Sequence, residues 1–242
     1  MADNVFEEPR LAAVYDALDS DRSDLAAYVA IAGELGAQSV LDIGCGTGVF
    51  ACLLSDAGCD VTGVDPAGAM LEVAQAKPGA GRVRWIHGVA TDLPPMQVDL
   101  ATMTGNVAQV FLEDEEWERT LAAACGALGP GGSLVFETRR PDRRAWEEWD
   151  RERSFERVEI QDVGLVETWN EVVDVSLPLV TFRGTIVFHA DGTVLTSTST
   201  LRFRTREEVE RSLERASFRV RDVRDAPDRP GCEYVFVAER TG

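Results

Sequence analysis

Short apolar runs alternate with helical patterns over the first 138 residues of the chain. Segments with apolar residues three and four positions apart predict helices at 49–57, 69–75 and 113–128. The apolar runs predict buried strands at 39–43, 60–64, 83–87, 98–102 and 133–137. Strands that alternate with helices at this spacing run parallel and are joined by right-handed crossovers. We therefore expect a doubly wound α/β sheet.

The segment that precedes this alternation predicts helix from residue 5 to residue 36. Leu11, Val14 and Leu18 recur at helical spacing, the run Asp19-Ser20-Asp21 interrupts the pattern, and Gly36 ends it. We expect residues 1–36 to form an N-terminal helical cap.

The pattern changes after Thr138. Runs with β-type alternation at 158–175, 180–189 and 194–203 are not separated by helices, so we expect them to pair antiparallel. Asp191-Gly192 predicts a hairpin turn between the last two. The α/β pattern then resumes with a helix capped by Thr205 and with strands at 218–223 and 234–239. We therefore expect an α/β core made of residues 37–138 and 204–242, interrupted by a β-rich lid insertion at 139–203.

Charge and composition narrow the classes of function. The chain has 24 Lys and Arg against 42 Asp and Glu, a formal net charge of −18, which disfavours nucleic acid as a partner. It contains no apolar run of membrane-spanning length, and the acidic start MADNVFEEPR lacks the features of a secretory signal. We expect a cytoplasmic protein without membrane contact. Its five cysteines show no zinc-type spacing, so no metal is expected.

The sharpest motif is a glycine loop after the first predicted strand. Gly44, Gly46 and Gly48 follow that strand and open a helix, where small residues let a ligand approach the backbone. The spacing differs from the dinucleotide fingerprint, which would need glycine in place of Val49. Asp65 ends the second strand, where a carboxylate can accept hydrogen bonds from both hydroxyls of a ribose.

Across Asp42-Ile43-Gly44-Cys45-Gly46-Thr47-Gly48 the chain resembles the class I S-adenosylmethionine-dependent methyltransferases of the small-molecule type. The resemblance covers most of 37–138 and the closing strands. It implies a doubly wound, Rossmann-like sheet of about seven strands. The last of these strands would be antiparallel, and an antiparallel β insertion would follow strand five. The implied function is methyl transfer from S-adenosylmethionine to a nitrogen or oxygen of a small-molecule acceptor.

The resemblance also implies roles for individual residues toward the cofactor. The backbone from Gly44 through Cys45 to Gly46 would lie along the methionine moiety, Asp42 would fix its ammonium group, and Asp65 would bind the ribose. Pro66 and Met70 would flank the adenine, with Val89 and Ala90 in the turn beside it. Tyr15 would lie on the helix that closes over the cofactor, and Met103 ends the fourth strand at the edge of the site.

One departure from the family pattern concerns the adenine. Many relatives carry Asp where this chain has Val89, and that Asp accepts a hydrogen bond from the adenine amino group. Valine cannot do so. We expect the Ala90 backbone amide and apolar contacts to hold the adenine instead, at a cost of about 0.5–1.5 kcal/mol in affinity.

The acceptor side is less defined. Asn106 follows the fourth strand and Arg139 the fifth, at the edge where ligands bind in such sheets, and both are predicted to contact the acceptor. Four aromatic residues give the insertion material for an acceptor pocket, although the core of the insertion is the more usual place for any one of them: Trp146, Trp149, Trp169 and Phe182. No strong general base is visible, and alignment of the acceptor with the methyl group can itself supply much of the rate.

Two alternatives stay open at this stage. One is a non-catalytic S-adenosylmethionine-binding regulator, favoured by the missing base and by Val89. The other is an NAD-dependent oxidoreductase, disfavoured by Val49. The insertion also predicts where any homodimer would form, because the acidic surface disfavours association elsewhere.

Overall fold

The computed structural model describes residues 3–242, in which eleven strands form two sheets. The strands are β1 (Ser39–Ile43), β2 (Asp60–Asp65), β3 (Val83–His87), β4 (Val98–Met103), β5 (Leu128–Arg139), β6 (Glu156–Ile160), β7 (Gly164–Ser176), β8 (Leu179–Phe188), β9 (Thr193–Arg202), β10 (Phe218–Asp225) and β11 (Glu233–Arg240).

The larger sheet has seven strands in the order β10-β11-β5-β4-β1-β2-β3. Strands β1 to β5 run parallel, while β11 lies antiparallel to both β5 and β10. From β1 the chain goes first to one side of the sheet and then, at β4, to the other. Because the strand order reverses there, the carboxyl ends of β1 and β4 border a crevice suited to a ligand. The predicted fold class, including the antiparallel last strand and the β insertion, is confirmed.

Eight α-helices accompany the strands in residues 3–242. They are α1 (Asn4–Glu7), α2 (Pro9–Leu18), α3 (Asp24–Glu34), α4 (Val49–Asp56), α5 (Gly68–Ala76), α6 (Asp114–Ala127), α7 (Arg151–Ser154) and α8 (Arg206–Arg215). The predicted capping box is present at α8, where Thr205 and Glu208 each accept the other's backbone N–H. No helix in this part of the chain is long and apolar enough to cross a membrane.

Alternate residues of the strands supply two separate cores, one on each face of the large sheet. On one face Phe136 of β5 stacks on Phe236 of β11 and packs edge-on against Trp117 of α6. On the other face Val135 of β5 lies in one apolar cluster with Tyr28 of α3. Residue 137 faces the same side as Val135, so a carboxylate enters this face at the carboxyl end of β5.

The smaller sheet is antiparallel, in the order β6-β7-β8-β9. Val166 and Phe188 of its inner face form an apolar cluster with Leu11 and Val14 of α2. The insertion therefore rests on the N-terminal helices and does not stand free in solvent.

Three details differ from the sequence-based expectation. The N-terminal helix is interrupted a second time, because Pro9 starts α2 after an extended Glu8. The apolar run at 158–175 is two strands, because Asp162 adopts the left-handed conformation in the turn between β6 and β7. Trp169 pairs with Thr185, which places it on the opposite face of the insertion from Phe182.

Candidate functional site

The glycine loop between β1 and α4 requires glycine because of its backbone conformation and because neighbouring side chains pack closely against it. Gly44, Gly46 and Gly48 all have positive φ angles, of 71°, 52° and 74°. A Cβ on Gly44 would stand 2.6 Å from a methyl carbon of Val107, and one on Gly48 would stand 2.4 Å from the ring of Trp85. At Gly46, in contrast, no heavy atom of the described residues lies within 4 Å of that position, apart from Gly46 itself and its two chain neighbours. The loop is thus packed on two sides and open at Gly46, as a cradle for a ligand requires.

Asp42 lies beneath this loop, at 1% exposure. The Thr102 hydroxyl donates to its Oδ1 over 2.8 Å, while Oδ2 is buried and has no hydrogen-bond partner in residues 3–242. Burial raises the pKa of the Asp42 carboxyl to about 7, against the lowering effect of Thr102. A bound ammonium group would satisfy the free oxygen and favour the ionised form. The residue therefore fits the role that the resemblance implies.

Asp65 ends β2 with both carboxylate oxygens engaged by the backbone. Its Oδ2 accepts from the Gly46 amide and its Oδ1 from the Ala67 amide, each over 2.8 Å. Burial nevertheless raises its pKa above the ordinary value. These bonds fix the carboxylate at the mouth of the loop, and each oxygen keeps a second lone pair for a hydroxyl donor. The arrangement fits a ribose.

The residues expected around the adenine lie further along the same edge. Pro66 is exposed, and its carbonyl oxygen lies 2.9 Å from the His87 ring nitrogen. Val89 is 44% exposed and Ala90 is buried, so the departure from the family pattern lies on the surface of the site. Met70 is packed against the helical cap, whereas Met103 belongs to the core between the large sheet and α6. The predicted contacts of these residues with a cofactor stay predictions.

Tyr15 projects from α2 into an apolar cluster with Met70. Burial and the neighbouring Asp19 raise the pKa of its phenol, and Arg139 is among the charges that act on it.

Asp16, the next residue on α2, was not anticipated from the sequence. Its Oδ1 accepts from the Thr47 hydroxyl over 2.5 Å, and its Oδ2 pairs with Lys77. It links the cap to the glycine loop. A single charged residue on a helix gives no sequence signal for such a role.

The acceptor side centres on Asn106 and two buried glutamates. The Asn106 backbone N–H donates to Oε1 of Glu137 over 2.7 Å, and its Nδ2 donates to Oε1 of Glu233 over 3.2 Å. Burial raises the pKa of Glu137 to about 7. Sequence reasoning missed both glutamates. A charged residue that directly follows Leu134-Val135-Phe136 in a buried strand was the signal available for Glu137.

Arg139 is held on the same side of the crevice. Its Nη1 donates to Oε1 of Gln109 over 3.0 Å, and its Nε lies 3.8 Å from Oε1 of Glu233. Burial lowers its pKa, which Glu233 partly offsets. The guanidinium carbon lies 5.6 Å from the ring centroid of Trp149. The structure therefore brings together both residues predicted for the acceptor, Asn106 and Arg139.

Aromatic side chains of the insertion continue from Trp149. Its ring centroid lies 4.9 Å from that of Phe182 and 6.2 Å from that of Phe203, which in turn packs edge-on against Trp146. Trp169 is not part of this group and instead packs beside Arg151 on the outer face. The expectation that Trp169 lines the pocket was wrong, because the register of β7 turns it away.

Comparison with known proteins agrees with this geometry. Residues 40–132 match the family described as a methyltransferase domain. The cypemycin N-terminal methyltransferase of a Streptomyces species is 32% identical over 142 residues, covering 57% of this chain and 58% of that protein. This chain thus spans less than two thirds of that relative's length.

Solved structures share the fold over nearly the whole chain. The sugar N-methyltransferase KedS8 from a Streptoalloteichus species superposes with a TM-score of 0.77 at 20% identity, covering 95% of this chain and 93% of that one. An S-adenosylmethionine-dependent methyltransferase from Clostridium acetobutylicum gives a TM-score of 0.76 at 17% identity, covering 96% and 98%. At these identities the likeness is one of fold, and it includes the insertion.

Proposed function

We propose that the chain is an S-adenosylmethionine-dependent methyltransferase that transfers a methyl group to a nitrogen or oxygen of a small-molecule acceptor; the match of residues 40–132 to a methyltransferase domain supports this. One observation carries the proposal. A buried carboxylate oxygen of Asp42, with no hydrogen-bond partner among residues 3–242, lies beneath a glycine loop that is open at Gly46 and bordered by Asp65. Asp42 can hold a cation, the open loop at Gly46 can hold an extended ligand chain, and Asp65 can hold a diol.

The residues present fit the cofactor. Bound S-adenosylmethionine supplies an electrophilic methyl group on a sulfonium. Asp42 would hold its ammonium group, Gly46 would leave room for the methionine chain, and Asp65 would accept from the ribose hydroxyls. Thr102 keeps the Asp42 carboxylate oriented, and the amides of Gly46 and Ala67 do the same for Asp65.

The acceptor would bind between the loop that follows β4 and the insertion. Val107 touches Gly44, so the loop that carries Asn106 lies directly beside the proposed cofactor site. Arg139, Gln109 and Trp149 border the same space. These polar and aromatic side chains support a small organic acceptor, and the net charge of −18 argues against nucleic acid.

Water exclusion is the second task of the proposed machinery. The cap packs on the insertion through Leu11 and Val14, and on the glycine loop through Asp16. If the cap and the insertion close over the ligands, they would keep water from the reacting methyl group and hold the acceptor in line with it.

Calorimetry with S-adenosylmethionine and with NAD⁺ tests the cofactor assignment. We expect binding of the first and none of the second, and the reverse result overturns the proposal. Formation of S-adenosylhomocysteine in the presence of a panel of small amines and alcohols then tests catalysis. Tight cofactor binding without turnover of any acceptor would favour the non-catalytic regulator instead.

A further inference from the structure

Asn106 has a left-handed backbone conformation, which is uncommon for residues other than glycine although asparagine tolerates it better than most. Its φ and ψ are 61° and 27°, in the left-handed region, although it carries a side chain. Such conformations persist where the surroundings over-determine them, and they concentrate at functional sites. Here the surroundings are two buried carboxylates from neighbouring antiparallel strands, Glu137 of β5 and Glu233 of β11.

The two carboxylates also settle which way the side-chain amide points. Oε1 of Glu233 accepts from the Arg229 guanidinium over 3.1 Å, and the Asn106 atom that faces the same oxygen is the Nδ2 donor. The carbonyl oxygen Oδ1 is then turned away from Glu233. It is buried and has no hydrogen-bond partner within the described chain, and the residue as a whole is only 5% exposed. A buried amide oxygen without a donor is costly unless a ligand supplies one.

The position of this free oxygen suggests what supplies the donor. Val107, the next residue, fills the space beside Gly44, so Asn106 lies next to the loop proposed to hold the methyl donor. Gln109, two residues further on, holds Arg139. The residue that carries this oxygen therefore lies on the acceptor side of the site.

We infer that Asn106 Oδ1 accepts an N–H hydrogen bond from the methyl acceptor, that the acceptor atom is an amine nitrogen, and that Glu137 and Glu233 are the positioning residues that hold Asn106 for this contact. The inference rests on the proposed function and gives it a substrate class. Glu137 fixes the backbone of Asn106, and Glu233 fixes the direction of its amide.

An amine suits this arrangement better than a hydroxyl. A neutral amine keeps a nucleophilic lone pair while its N–H is bound, so an acceptor oxygen can orient it without removing a proton. The lone pair forms the new N–C bond as the C–S bond of the donor breaks, with that electron pair staying on sulfur. The positive charge passes to nitrogen, which then releases a proton to water. A hydroxyl would need a base at its oxygen, whereas a neutral amine needs none to form the new bond. Oε1 of Glu137 and Oε1 of Glu233 accept from Asn106, while Oε2 of Glu137 is buried and has no hydrogen-bond partner in residues 3–242.

The experiment measures binding of matched probes to the full chain with S-adenosylhomocysteine present. The probes are 4-aminotetrahydropyran and tetrahydropyran-4-ol, followed by NMR at a pH where part of the amine is neutral. We expect the amine to bind about two- to tenfold more tightly, the range of one neutral hydrogen bond, and to shift the side-chain amide signals of Asn106. Equal affinity of the two probes, or binding of neither, overturns the inference.

Three variants separate positioning from general damage. Asn106→Gly fits the left-handed backbone and should abolish the preference for the amine, whereas Asn106→Asp keeps an acceptor oxygen and should retain it. Glu233→Gln can donate to Oδ1 and so allows the amide to flip, which should reduce or reverse the preference. A preference unchanged in Glu233→Gln contradicts the positioning role. Calorimetry of S-adenosylhomocysteine on the same samples reports the cofactor site separately, so a failure of the proposed function is distinguished from a failure of this inference.

Discussion

Thr47 of the glycine loop donates its hydroxyl hydrogen to Asp16 of α2 over 2.5 Å. The same carboxylate pairs with Lys77 just beyond α5. The Asp16 carboxylate thus joins the N-terminal cap to the glycine loop and to the end of α5, which both border the proposed cofactor site. The cap is consequently a structural part of that site, although it lies outside residues 40–132 that match the methyltransferase domain.

Thr47→Val should loosen the cap while leaving the shape of the loop intact. Because the acceptor is a carboxylate but about a third exposed, we expect a loss of about 1 kcal/mol in the free energy of unfolding. Urea denaturation measures it, and Thr198→Val, on the exposed face of the insertion, serves as the control. Equal stability of the two variants would show that the Thr47 contact adds nothing.

Asp65→Ala should weaken cofactor binding by about 1.5–3 kcal/mol, the range for hydrogen bonds to a charged group. The variant removes the proposed ribose acceptor and also the partner of the Gly46 amide. Calorimetry with S-adenosylmethionine measures the change. As the control, Asp60→Ala, at the opposite end of the same strand, should bind the cofactor as the unmodified protein does. An unchanged affinity in Asp65→Ala would contradict the assignment of Asp65 to the ribose.

Cofactor affinity should depend on pH through Asp42. Burial raises its pKa to about 7 in the free protein, so its carboxyl is neutral below that pH and negative above it. Only the negative form attracts an ammonium group, so affinity should fall as the pH is lowered from about 8 to about 6. Asp42→Asn should bind the cofactor weakly, and its affinity should no longer show the pH dependence that Asp42 causes.

Glu137→Gln is the matched control for this pH experiment. Glu137 is also buried with a pKa raised to about 7, but it lies on the acceptor side. The slope should therefore persist in this variant. If the pH dependence of cofactor affinity is lost in Glu137→Gln and kept in Asp42→Asn, Glu137 causes it and the prediction for Asp42 is wrong.

Val89→Asp should tighten cofactor binding by about 0.5–1.5 kcal/mol or leave it nearly unchanged, since it restores an acceptor for the adenine amino group. Val89 is 44% exposed and precedes a 3₁₀ turn, where Asp is well tolerated. Val110→Asp, at a similarly exposed position, controls for added charge. More than about a tenfold loss in affinity would mean that the adenine contacts Val89 itself.

Self-association, which we propose to involve the insertion, should be sensitive to charge at its exposed apolar side chains. Val175 and Leu177 are 44% and 58% exposed near the turn from β7 to β8. The double variant Val175→Asp and Leu177→Asp should be monomeric in light scattering at concentrations where the unmodified chain is a dimer. Leu53→Asp on α4 should not change the mass. An identical mass for all three proteins contradicts the proposal.

The sequence allowed prediction of the parts of the site that are local in the chain. The glycine loop follows directly from β1, and Asp65 ends the next strand, so spacing alone placed them at one edge of the sheet. Asn106 and Glu233 are 127 residues apart, and no local pattern could pair them. The face on which Trp169 lies depends on strand register, which a run of apolar residues does not specify.

The contacts of the first helices have a consequence for the order in which the chain can assemble during synthesis. The Val5 amide donates to the Ser197 hydroxyl, and Arg10 forms two hydrogen bonds to Asp191. The N-terminal helices therefore cannot complete their docking until the chain has been made as far as Ser197. Until then Leu11 and Val14, both nearly fully buried in the finished protein, lack their partners on β7 and β8. The N-terminal helices are made before the strands they pack on and are among the last elements to reach their final place, so their apolar face stays open to other chains until the insertion has been made.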